Sequence, residues 1–237
     1  MLGKHRPLFA LLISLSLFSI RSQAQDGKAL VAEALRAVGA ENLRTIEVTG
    51  SGSTAGIGQN RNPTLGWPTA RLKSYTRQLD LSLPASNVQM IRVQNNRDVS
   101  QSQVISSNSP WSQEYDLWIS PYGFLQGAMA NPVTVRAEAL DGVKYNVISF
   151  TLQSKYKLQG YLGSQNLLER VRTWVDNDVL GDMLVEAVYG DYKDFGGVKV
   201  PSTMIVKQGG FATRILIVSD AKINVPVTIP PVPPPPA

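Results

Sequence analysis

Few side chains in this chain can do chemistry. Among 237 residues the one histidine is His5, and there is no cysteine. Zinc sites nearly always draw on histidine or cysteine, and the hydrolytic triads need a histidine as base. Once His5 leaves with a leader, argued below, only carboxylate, lysine, serine and tyrosine chemistry remains. No catalytic residue, metal site or cofactor is therefore expected. The acids lie closest together at Asp176, Asp178, Asp182 and Glu186. Asp176 and Asp178 with Gly181 fit the opening of a calcium loop, but Leu180 and Ala187 stand where oxygen ligands must follow. The run reads as a hairpin turn with solvated strand ends. Gly50-Ser51-Gly52-Ser53-Thr54-Ala55 fits the loose dinucleotide fingerprint. A true fingerprint opens a helix, and here Gly56, Gly58, Asn60 and Pro63 follow. These glycines read as a place where a strand curves or bulges. Trp67, Trp111, Trp118 and Trp174 have no basic groove beside them. They read as core and strand-face residues, and nucleic acid is not expected as a partner.

The elements that would carry these residues are mainly strands. Leu30, Val31, Ala34, Leu35 and Val38 form a helical stripe over Asp26–Val38, which Gly39 is placed to end. Arg71–Leu83 alternates, with Tyr75, Leu79, Leu81 and Leu83 on one face, until Pro84. The cleanest alternation runs from Ile148 to Leu162, with Ile148, Phe150, Leu152, Tyr156, Leu158 and Leu162 sharing one parity. Period two over that length predicts a strand or hairpin with one dry face. Further strands are expected at Leu167–Val175, Met183–Asp191, Lys199–Lys207 and Ala212–Ala221. Short turns join them, which predicts an antiparallel meander. Ser120-Pro121 is a cap followed by a first helical turn, with Phe124, Leu125, Ala128 and Met129 on one face and Asn131-Pro132 as a stop. Val93–Ser109, rich in Asn, Gln and Ser, reads as a long loop.

Both ends of the chain differ from this middle. Residues 1–24 read as a signal peptide: Lys4, His5 and Arg6, then the apolar run Leu8–Ile20, then Ser22-Gln23-Ala24 as a cleavage site. The formal charge is +5; Lys4, Arg6 and Arg21 contribute three positives to the leader, so the mature chain carries +2. No later stretch is apolar enough to span a membrane. Residues 226–237 read as an extended proline-rich tail or truncated linker. One domain is expected between, at 25–225, in a protein that is periplasmic or secreted.

Two stretches carry a family resemblance. One is Ser120-Pro121-Tyr122-Gly123-Phe124-Leu125-Gln126-Gly127-Ala128-Met129-Ala130-Asn131. The other begins Thr173-Trp174-Val175-Asp176-Asn177-Asp178 and continues through Tyr189 and Asp191-Tyr192-Lys193-Asp194-Phe195-Gly196-Gly197 to Pro201. With the opening helix and the Gly-Ser-Gly strand, they resemble the N-terminal domain of exported bacterial proteins in which a metallo-β-lactamase-fold hydrolase domain follows a proline-containing linker. That domain in turn resembles the lipoprotein-carrier (LolA-like) fold. The resemblance implies a mainly β (α+β) domain: a curved antiparallel sheet forming an incomplete barrel, with helices across its concave side and a cavity for an acyl chain. No zinc ligand of the hydrolases carries over to any residue here.

The expected function is a non-catalytic exported binding module for a lipid or acyl ligand. Its candidate apolar cavity is formed by Phe124, Leu125, Met129, Ile148, Phe150, Leu152, Tyr156 and Leu158. The alternative is an accessory domain serving a hydrolase domain or partner protein.

Overall fold

The computed structural model describes residues 27–58, 62, 64, 67–178 and 181–231. The leader expected at 1–24 and the end of the proline-rich tail, 232–237, lie outside them. Helix α1 covers residues 27–38 and buries Val31, Ala34 and Val38, the expected stripe. Four strands follow: β1 (Thr45–Ala55), β2 (Thr69–Asp80), β3 (Ala85–Gln94) and β4 (Arg97–Ser106). Helices α2 (Trp111–Trp118) and α3 (Pro121–Ala130) interrupt the strands. Then come β5 (Thr134–Leu140), β6 (Val143–Leu152), β7 (Tyr156–Leu162), β8 (Leu168–Asn177), β9 (Gly181–Phe195), β10 (Val198–Gln208) and β11 (Phe211–Ile223).

All eleven strands form one sheet in the order β4-β3-β2-β1-β11-β10-β9-β8-β7-β6-β5, and every described pair is antiparallel. Strands joined by short turns pair with each other, whereas β4 and β5, separated by α2 and α3, do not; the sheet is instead made continuous by β1 with β11, which joins the two ends of the chain. The sheet does not close: β4 and β5 remain as edges. It is nevertheless strongly curled. Helix α2 has eight residues, so it is about 12 Å long, yet it contacts both β4 and β8. Those strands stand seven spacings apart, roughly 34 Å in a flat sheet. The sheet must therefore wrap round the helices, which makes their side the concave one.

The expected bend at Gly50–Gly52 is part of this curl. The register slips at Thr49/Gly50 against β11 and at Gly50/Gly52 against β2. A Cβ on Gly52 would lie 1.9 Å from the Ile215 carbonyl oxygen, so no larger residue fits there. The strong alternation at Ile148–Leu162 is a hairpin: Ile148 faces Gly160, Phe150 faces Leu158 and Leu152 faces Tyr156. The reading of Val93–Ser109 as a loop is corrected. It holds the end of β3 and all of β4, joined by Asn95-Asn96, both at positive φ as a tight hairpin turn requires. Most of β4 is exposed, so its faces show no apolar period. Helix α2 was not expected from the sequence.

Past β11 the chain crosses the convex face of the sheet. Thr45 Oγ1 donates to the Val225 carbonyl at 2.6 Å, and Asn87 Nδ2 donates to that of Thr228 at 3.2 Å. The tail's first residues are thus seated on β1–β3.

Candidate functional site

The expected cavity residues lie in two environments. Phe124, Leu125, Ile148, Phe150, Leu152 and Leu158 are buried and packed together. The Phe124 and Phe150 rings meet at 5.1 Å, and a Cβ on Gly160 would sit 2.3 Å from the Phe124 ring. This half of the concave face is filled. Tyr156 stacks on Trp111 with ring centroids 4.1 Å apart, and Met129 is 41% exposed.

An apolar cavity of about 50 Å³ lies beside them, on the other half of the sheet. None of the eight residues lines it. Its floor comes from β1, β2, β9, β10 and β11, including Ile46, Val48, Leu79, Ala187, Val206 and Leu216. Its roof is the connection from α2 to α3, Ile119 to Tyr122. Local sequence fixes that roof. Ser120 caps α3 by accepting from the Gly123 N–H at 3.1 Å, and Pro121 fills the first turn, where its missing N–H costs nothing. The far end of α3 is held by Lys28 of α1, whose ammonium donates to the carbonyls of Ala128 and Asn131 at 2.9 and 2.6 Å. A cation there also suits the negative end of the helix dipole.

Polar contacts tie the roof to the floor. Asp116 of α2 accepts from Arg214 of β11 at 2.6 Å and pairs with Arg77 of β2 at 3.2 Å. Arg77 also donates to the Asp116 carbonyl at 2.9 Å. Tyr122 Oη donates to the Lys199 carbonyl at 3.0 Å, and Gln208 donates to Tyr115 Oη at 2.9 Å. Burial alone would push the Asp116 carboxyl up, but Arg214 and Arg77 outweigh it and hold it below the usual carboxylate range. Tyr189 of β9 lines the same cavity. Burial pushes its phenol far up, and its hydroxyl has no hydrogen-bond partner. Arg77 Nε is likewise buried and unpartnered. Sequence reading singled out none of Arg77, Asp116 and Arg214, and named Tyr189 only within the stretch that carries the family resemblance.

The acids weighed for calcium do not converge. Asp176 and Asp182 face each other across β8 and β9, while Glu186 is taken up by Arg170 and Arg172 at 2.8 and 2.6 Å on the convex face. Among the described residues no group of histidine, cysteine or acidic side chains is placed to hold a metal, and no helix is long and apolar enough to cross a membrane.

No family model and no curated protein matches this chain. Solved structures do. A domain ascribed to an outer membrane lipoprotein-sorting protein of Vibrio parahaemolyticus is 14% identical, with a TM-score of 0.52 over 86% of this chain and 95% of that one. A LolA superfamily protein of Nitrosomonas europaea is also 14% identical over the same shares, with a TM-score of 0.48. The fold is LolA-like: mainly β, one open antiparallel sheet with helices on its concave side. Nothing in these comparisons supports the hydrolase association that residues 120–131 and 173–201 implied.

Proposed function

We propose that this chain is a non-catalytic, exported binding module that takes an apolar acyl chain between the concave face of its sheet and the α2–α3 cover. The observation that carries this reading is the apolar cavity beneath Ile119–Tyr122, roofed by a cover fastened to the sheet by polar contacts. Ligand pockets usually enclose about 300–1,000 Å³, and the 50 Å³ here is far less. On this reading the described conformation is a closed one, and an acyl chain enters when the cover lifts. Two unlike attachments allow that. Phe124 and Leu125 anchor α3 in the filled half, where withdrawal from packed neighbours is expensive. Tyr115 and Tyr122 hold the other half by hydrogen bonds that water can replace at small net cost, and Asp116 by an ion pair with Arg214 and Arg77 that gives way only where water or another anion takes its place. The cover hinges at Phe124 and opens at Asp116. The leader pattern at residues 1–24 supports a periplasmic or secreted setting, and the LolA-like fold agrees with an acyl cargo.

Filling the cavity tests this. Ala187→Leu adds volume at its floor. An environment-sensitive fluorescent acyl probe should then bind at least tenfold more weakly, while the far-ultraviolet circular dichroism stays unchanged. Unaltered probe affinity in the folded variant would move the ligand elsewhere or remove it.

A further inference from the structure

The polar side of the cavity carries charge that the protein itself does not balance. Two guanidinium groups, Arg77 and Arg214, share one carboxylate, Asp116. Among the described residues neither arginine has a second acidic partner. A buried positive charge with no counter-ion is costly in a low-dielectric site. Two donors beside it are also idle. Tyr189 is 6% exposed, lines the cavity and offers an unpartnered hydroxyl. Arg77 Nε is buried without a partner. Tyr75 completes this side, with the Arg214 guanidinium 6.0 Å from its ring centre. Apolar side chains flank these groups: Val48 stands beside Arg77 across β1 and β2, and Leu79 and Leu216 follow Arg77 and Arg214 on the same strands. The cavity therefore combines a cationic, donor-rich patch with an apolar lining, as an amphiphile's head and chain require.

We infer that the bound ligand is an anionic amphiphile, whose carboxylate or phosphate head is received by Arg77, Arg214 and Tyr189 while its alkyl chain lies along the apolar floor. This rests on the reading of the chain as an acyl-binding module and adds what distinguishes one lipid from another. Guanidinium groups suit either head because they offer paired N–H donors to two oxygens at once. Asp116 then acts as a built-in stand-in: it occupies part of the anion position in the closed protein and leaves it as the cover lifts.

The test uses the full mature chain and three probes of equal chain length: palmitate, hexadecyl phosphate and the neutral hexadecanol, each competing with the fluorescent acyl probe. Palmitate or hexadecyl phosphate should bind at least tenfold more tightly than hexadecanol. Whichever anion binds more tightly identifies a free carboxylate or a phosphate head as the source. Tyr189→Phe deletes only the idle hydroxyl and should fold; it should shrink the anion preference several-fold. Arg214→Gln should shrink it further. Equal affinity for all three probes, or an unchanged preference in both variants, would overturn the anionic pole while leaving the acyl-binding module standing. Failure of every probe to bind would overturn both.

Discussion

Asp116 is the residue on which most depends. It is buried on α2 and, among the described residues, is the sole carboxylate between two arginines drawn from strands far apart in sequence. Removing one partner from such a cluster typically costs about 3–5 kcal/mol, because the remaining charge stays buried and unpaired. Asp116→Asn should lower stability by that order in urea unfolding. Its pH dependence follows from the same contacts. With the folded carboxyl held below its usual range, the stabilisation is complete above the unfolded pKa near 4 and is lost as pH falls below it. Glu186, pushed up by burial but held lower still by Arg172 and Arg170, acts in the same sense. Glu114 opposes them: burial raises its carboxyl, so its folded form favours the proton. The wild-type chain should lose stability steeply between about pH 4 and pH 2, and Asp116→Asn should do so less steeply. Equal acid slopes would show that the carboxylate is not paired in solution. None of this was legible in the sequence. Asp116 and Arg214 lie 98 residues apart, and no local spacing marks them as partners.

Elements were more legible wherever one face is dry. The hairpin at Ile148–Leu162 and the meander beyond it declare themselves by alternate apolar residues facing the helices, although Val147 and Tyr161 are buried on the hairpin's other face as well. Strand β4 and helix α2 do not. The former is an exposed edge with polar residues on both faces. The latter buries Glu114 and Asp116 among its apolar residues, which breaks the helical stripe that a reader looks for. Helix α3 was legible from its cap, and its contact with the sheet depends on Gly160. A methyl group there would press on the Phe124 ring at 2.3 Å, well inside contact distance. Gly160→Ala should therefore destabilise by about 1–3 kcal/mol, the usual range for overpacking a filled core, seen as a lower Tm in differential scanning calorimetry. A neutral result would mean that α3 rests more loosely than the packing indicates, and with it the proposed hinge.

At the scale of the molecule, an open sheet of eleven strands wraps two short helices and, among the described residues, leaves a small apolar void near its middle. The architecture followed from the even strand spacing and the family resemblance. The site did not. A dry strand face says only that something covers it, and at Phe124–Leu158 the cover fills the space. The void opens instead between β1, β2 and β9–β11, where Ala187 is too small to reach the roof and Tyr189 and the arginines keep polar groups inward. Volume, unlike periodicity, is a property of the assembled sheet. The central claim is that this void is the closed form of an acyl site, and native mass spectrometry on the mature chain purified from its own host tests it most directly. The account predicts a mass higher than that of the bare polypeptide by one lipid-sized adduct, released by organic solvent. A bare polypeptide mass, unchanged after incubation with palmitate and with phospholipid vesicles, would contradict it.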